Sequence, residues 1–86
     1  MGVLMPTRKR SYTVIFEPLE HGGYAVTVPA LPEIITCGRT LREAREMAED
    51  AIRCALEGLA NEGKPLPRDI MTRPRTEKLD VTLSVA

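Results

Sequence analysis

The sequence predicts a small α+β domain in which three strands are followed by one helix and a fourth strand. Apolar and polar residues alternate at 11–17, 24–28 and 78–85, which is the period of half-buried strands. Between residues 41 and 59 the apolar residues recur instead at steps of three and four. That spacing is typical of a helix that buries one side. With a short apolar run at 33–37 added, the predicted order is β-β-β-α-β.

The first two runs are predicted to form an antiparallel hairpin. Pro18 ends the first run, and the glycine pair at 22–23 supplies the positive φ angles of the turn. Pro29 and Pro32 then interrupt the chain, because proline cannot donate to a strand ladder. The third run, from Glu33 to Cys37, is expected to pair back on the second.

The stretch from 38 to 67 carries signals for both ends of the helix. Thr40 is expected to accept a hydrogen bond from the backbone N–H of Glu43, and the Glu43 carboxylate can accept one from the Thr40 N–H, which completes a capping box. Gly38 suits the sharp exit from the preceding strand. At the other end Gly63 suits a left-handed residue, and Pro65 cannot continue a helix.

The last run, 78–85, shows the cleanest alternation in the chain, with leucine and valine on one side. Three strands running up, down and up, followed by a returning helix, place this run parallel to the first strand through a right-handed crossover. The prediction is a mixed four-stranded sheet of order 3-2-1-4 with one helix packed on one face. The other face, with Thr13, Ile15, Ala25 and Thr27, is half apolar, and such a face often becomes an interface. A homo-oligomer, dimer or higher, is therefore expected.

Length and composition limit the function further. The 86 residues predict a flexible N-terminal tail at 1–10 and a single domain at 11–86. Twelve basic and twelve acidic residues give zero formal net charge, which disfavours a domain that binds nucleic acid through phosphates. No apolar run approaches the ~18 residues of a membrane span, so a soluble, cytoplasmic protein is expected. Cys37 and Cys54 form no CxxC pair and are expected to be buried thiols.

No catalytic constellation is evident in the sequence. A metal-dependent nuclease needs converging carboxylates, and the candidates are Glu17, Glu43 and Asp80. The alternation of the last run directs Asp80 away from the helix, and His21 stands alone in a turn. We therefore expect no enzyme and no catalytic, cofactor-binding or metal-binding residues. A degenerate nuclease is kept as an alternative hypothesis.

Two further interpretations concern charged residues. The polar side of the helix is either a solvated face with supporting i,i+4 pairs or a contact surface for a protein partner. The basic residues Arg8, Lys9 and Arg10 could contact phosphate, which leaves a nucleic-acid-binding transcriptional regulator as a second alternative.

A set of short motifs resembles the HicB-like antitoxin family, over residues 11–85. The opening hairpin is similar, and so are the order and spacing of the residues that follow it. These are Leu31, Pro32, Gly38, Arg39, Thr40, Leu41, Glu43, Ala44, Ala48 and Ala51, and then Gly63, Lys64, Pro65, Leu66 and Pro67. The family fold is a truncated RNase H-like β-β-β-α-β unit without catalytic carboxylates. Because the chain ends at Ala86, the C-terminal DNA-binding module of full-length members is expected to be missing, so nucleic-acid binding would need another module.

The resemblance implies a non-enzymatic antitoxin that binds and masks a small basic, mRNA-cleaving HicA-like toxin. It would do so by occlusion and by presenting acidic groups to a basic surface. No cofactor and no membrane partner are implied. The residues predicted to contact the partner lie after the second strand and on the charged side of the helix. They are Leu31, Pro32, Glu33, Arg42, Glu46, Glu49 and Arg53.

Overall fold

Three short strands and one long helix make up the secondary structure of the computed structural model, which describes residues 9–85. The elements are β1 (Ile15–Pro18), β2 (Tyr24–Thr27), β3 (Ile35–Gly38) and α1 (Leu41–Asn61). The predicted α+β class is confirmed. Most of the tail predicted at 1–10 lies outside the described residues, as does Ala86.

The sheet has the order β1-β2-β3, and both pairings are antiparallel. In its register Val26 of β2 lies between Phe16 and Thr36. The β1–β2 turn uses Gly22 and Gly23 at φ 99° and 84°, as the glycine pair predicts. The predicted order of the first three strands is thus confirmed.

β1 is shorter than its alternating pattern, beginning at Ile15 instead of Ser11. The reason lies in its partner, because β2 ends at Thr27 just before Pro29. There the chain turns, with the Leu31 N–H donating to the Val28 carbonyl at 2.9 Å. Residues 11–14 therefore have no β2 residues opposite them.

The core lies between one face of the sheet and α1. Val26, Ala44 and Ala48 are fully buried, and Val14, Phe16 and Tyr24 pack around them. A second cluster has Val28, Leu31 and Ile34 at its centre and rests against the second half of α1. The predicted helix-facing side of the hairpin is confirmed. The small alanines let the helix approach the sheet closely.

The helix ends agree with most of the predicted signals. The Glu43 N–H donates to Thr40 Oγ1 at 3.0 Å, so Thr40 is the N-cap. The Glu43 carboxylate lies 4.0 Å from Arg39 Nε. At the C-terminus Gly63 has φ 70°. Its N–H donates to the Ala60 carbonyl, and the Lys64 N–H donates to the Leu59 carbonyl. These two bonds form a Schellman motif.

Gly38 matters for a different reason from the one expected. Its φ is not in the left-handed region. A Cβ at this position would instead stand 2.6 Å from the backbone Cα of Ala44. Only glycine therefore allows the end of β3 to lie directly against the first turn of α1.

The fourth strand of the predicted sheet is not formed. Within the described part of the chain, no helix or strand follows α1. In residues 78–85, which we call the C-terminal run, the four apolar side chains are 75–84% exposed. The molecule measures 79 × 26 × 20 Å. Alternation predicts that a face must be buried, but it does not say which surface buries it.

The prediction of two buried thiols was wrong, because both cysteines are exposed. Cys37 pairs in register with Ala25, on the side of the sheet that points away from α1. Cys54 lies on the outer side of the helix.

After α1 the chain returns to the start of β1. The Tyr12 hydroxyl donates to the Pro67 carbonyl at 2.6 Å. The Thr13 N–H and hydroxyl donate to the two carboxylate oxygens of Asp69, at 2.7 and 2.8 Å. The hydrogen bond from the Thr13 backbone N–H, followed by that from its hydroxyl, lowers the pKa of Asp69 below its ordinary value of 3.8. These bonds fix where the final segment leaves the domain.

Replacing Gly38 by alanine should destabilise the fold, because the new methyl group meets backbone atoms of α1 that cannot move away cheaply. We expect a loss of about 1–3 kcal/mol in the free energy of unfolding, measured by urea denaturation. Gly58→Ala is the matched control, since nothing lies within 4 Å of the added Cβ. Replacing this mid-helix glycine by alanine should instead raise the free energy of unfolding by about 0.5–1 kcal/mol. Equal effects of the two substitutions would contradict the close approach at Gly38.

The bond between Asp69 and Thr13 should respond to acid in a defined direction. A depressed folded pKa means that the stabilisation is complete above 3.8 and is lost as the pH falls through the lower folded value. The amide proton shift of Thr13, followed by NMR, should therefore titrate with a midpoint below 3.8. Asp69→Ala should abolish that titration, whereas Glu20→Ala in the β1–β2 turn should leave it intact. A midpoint at or above 3.8 would argue against the bond.

Candidate partner-binding surfaces

The charged residues predicted to contact a partner form one stripe along α1. Arg42, Glu46, Glu49 and Arg53 are separated by steps of four, three and four, so they share one side of the helix. All four are exposed. We call this set the charged stripe. Its two carboxylates lie between two arginines, which suits a partner with both kinds of charge.

The pairs within the stripe are loose. Arg42 Nε lies 3.9 Å from Glu46 Oε1, with the two side chains 92% and 69% exposed. Arg53 Nη1 lies 3.7 Å from Asp50, instead of from a glutamate one turn away as the i,i+4 spacing predicts. Exposed pairs of this kind contribute little stability. Their charges can therefore exchange one partner for another at small cost.

The predicted loop residues separate into an anchor and an exposed tip. Leu31 is buried between Val28 and Ile34. Its carbonyl accepts from the Ile34 N–H at 3.0 Å. Pro32 and Glu33 between them are exposed. Leu31 thus fixes the turn, while Pro32 and Glu33 are the residues that a partner can contact directly.

A groove between β1 and α1 is the surface that sequence reasoning missed. It has a volume of about 1170 Å³, and Tyr12, Val14 and Phe16 line one wall. Ile52 and Leu56 line the other. We call it the β1 groove. Alternation at 12–16 and the helical stripe each indicated an apolar wall, but sequence alone did not show that the space between them is open.

Charged side chains stand along the groove. Lys9, Arg10 and Arg45 contribute positive charge, and Glu57 contributes negative charge. Glu49 and Arg53 of the charged stripe line the groove as well, whereas Arg42 and Glu46 do not. The structure therefore brings half of the predicted helix site to an apolar surface and leaves the other half outside it.

The sheet face away from α1 is also open. Ile35 is 82% exposed on this face. In the register Thr27 of β2 lies between Ile15 of β1 and Ile35 of β3. The expected half-apolar character of this face agrees with the structure, which adds Ile35 and the exposed Cys37 to it.

The carboxylates of the nuclease alternative stand on separate elements. Glu17 is in β1, Glu43 is in α1 and Asp80 is in the C-terminal run. In residues 9–85 no group of three His, Cys, Asp or Glu side chains is arranged to hold a metal ion. Over the same residues, no helix combines the length and apolar character needed to cross a bilayer.

Comparison with known proteins agrees with the resemblance seen in the motifs. Residues 12–84 match the sequence profile described as the HicB-like antitoxin of bacterial toxin–antitoxin systems. Antitoxin HicB 1 of Photorhabdus laumondii is 46% identical over 77 residues, which cover 87% of this chain and 47% of that protein. Antitoxin HicB of Escherichia coli K12 is 33% identical over 75 residues, covering 87% of this chain and 54% of the relative.

A shorter relative matches over most of its own length. A UPF0150 protein of Thermoplasma acidophilum is 45% identical over 58 residues, which cover 67% of this chain and 84% of that protein. The chain spans about half the length of the two HicB antitoxins. The match at 12–84 includes β1–β3, α1 and nearly all of the C-terminal run. The chain therefore belongs to the HicB-like antitoxin family.

Proposed function

We propose that this chain is a non-enzymatic module that binds and masks a small, basic, mRNA-cleaving toxin of the HicA type. Its place of action would be the cytoplasm, where such a toxin meets mRNA, and its working form would be a homo-oligomer. Family membership supports the antitoxin part of this proposal. The toxin type and the contact surface are inferred from the family resemblance and the exposed charges.

The observation that carries the contact surface is the charged stripe. Glu46 and Glu49 are exposed carboxylates on a rigid helix, and Glu46 makes a loose ion pair with Arg42. A basic RNA-binding surface would attract such groups, which raises the rate of encounter and the specificity. Zero net charge of the whole chain and of the stripe does not prevent this, because Glu46 and Glu49 are neighbours on the helix and steering depends on the local field.

The loop tip would add a second contact. Pro32 is a rigid apolar residue, and Glu33 is a further exposed carboxylate. Because Leu31 holds the turn in the core, the tip would lose little conformational entropy on binding. The truncated RNase H-like fold belongs to the same proposal, with the C-terminal run as its fourth strand.

Charge reversal on the stripe provides a test. The probe is the small basic toxin that the proposal assigns to this chain, in a catalytically inactive form, and binding is measured by calorimetry. Glu46→Lys with Glu49→Lys should weaken binding at least tenfold, which is about 1.4 kcal/mol. The double change should also slow association at low salt.

The matched control reverses two exposed carboxylates elsewhere, with Glu20→Lys and Glu77→Lys. It changes the net charge equally and should alter the affinity by less than threefold. If both double variants weaken binding equally, general electrostatics and not the stripe would explain the effect. Failure of the unaltered chain to bind the probe would refute the proposed function.

A further inference from the structure

The C-terminal run and the β1 groove are two exposed surfaces that each carry apolar residues at alternate positions. The run presents Leu79, Val81, Leu83 and Val85 at alternate positions, all at least three-quarters exposed. The groove presents one wall of alternating residues, Tyr12, Val14 and Phe16. Exposed apolar surfaces of this kind mark interaction sites.

The backbone geometry also matches. Among residues 9–85, β1 is an edge strand, because the sheet order pairs it on one side with β2 alone. The eight residues of the run would span about 26 Å as a strand, and the seven residues 12–18 would span about 23 Å. An unpaired edge is a template for adding a strand from another chain.

The run does not reach the groove of its own molecule. Asp69 is tied to Thr13 at the start of the β1 edge, so the chain passes the groove entrance nine residues before the run begins. From there the chain continues through residues 70–77 to the run, whose four apolar side chains stay exposed. A return would need a reversal within residues 70–77, which contain no glycine or asparagine to adopt the positive φ of the tightest turns.

Pro74 also disfavours a reversal of the chain within residues 70–77. The residue before a proline is pushed toward extended backbone, so Arg73 favours the extended path. A segment that is held extended and carries a complete apolar face is suited to exchange between identical chains. The groove is an open apolar surface, and the C-terminal run carries four exposed apolar side chains at strand spacing.

We infer that two copies of this chain exchange their C-terminal runs, each run lying in the β1 groove of the other copy as an added strand beside β1. This gives the homo-oligomer of the proposed function a specific interface. The strand exchange rests on the homo-oligomer of the proposed function and not on toxin binding. In the exchanged dimer each sheet has four strands, and the fourth belongs to the partner.

The first test measures the oligomeric state of the full chain by light scattering after size exclusion. The unaltered chain should have about twice the 9.5 kDa mass of one copy. Val81→Lys with Leu83→Lys should raise the dimer dissociation constant at least a hundredfold. The control pair Thr82→Lys with Ser84→Lys adds the same charge on the opposite side of the run and should change it less than tenfold.

A second test distinguishes exchange from folding back. Both native cysteines are exposed and can be replaced by serine. One variant then carries Val14→Cys in the groove and another carries Val81→Cys in the run. After refolding together and oxidation, a disulfide-linked heterodimer should form. A mixture with Ser84→Cys in place of Val81→Cys should give at least tenfold less of the disulfide-linked heterodimer.

Several results would overturn the inference. These are a monomeric unaltered chain, a dimer that Val81→Lys with Leu83→Lys leaves intact, or an internal disulfide in a monomer carrying both cysteines. Toxin binding is measured separately, so a monomer that binds toxin would refute only the exchange. A dimer that binds no toxin would refute only the masking function.

Discussion

The close contact between the end of β3 and the first turn of α1 determines the rest of this structure. Gly38 lies against the backbone of Ala44, and Ala48 continues the contact over Val26. Side chains this small bring the helix axis near the centre of the sheet. The bulkier Phe16 is only half-buried at the periphery, where it lines the β1 groove. The β1 groove thus results from close packing of α1 on the centre of the sheet and wider spacing at the edge.

Features that depend on a few neighbouring residues could be predicted from sequence. The Thr40 N-cap, the left-handed Gly63 and the glycine pair of the first turn each have a local physical cause. The helix-facing side of the hairpin followed from alternation, since a strand that packs on one face must alternate. Gly38 was identified as a necessary glycine, but its reason was non-local and became visible only in the packing.

Features that depend on distant partners could not be predicted in the same way. The length of β1 is set by the residue at which β2 ends. Cys37 is exposed because it lies on the face of the sheet that α1 does not cover. The pattern of the C-terminal run predicts a buried face, which the structure leaves exposed, and alternation carries no information about which chain would cover it. The groove was missed for the same reason, since its walls come from segments about forty residues apart.

The two proposed contacts share only the second half of the charged stripe. A run from a second copy in the β1 groove would cover the neighbourhood of Glu49 and Arg53, which line it. Arg42 and Glu46 lie outside the groove, about two turns and one turn nearer to the helix N-terminus than Glu49, and would remain exposed. A toxin that bound chiefly through the first half of the stripe could therefore join the exchanged dimer. A toxin that needed the groove itself would compete with the partner's run, and by linkage each would weaken the binding of the other.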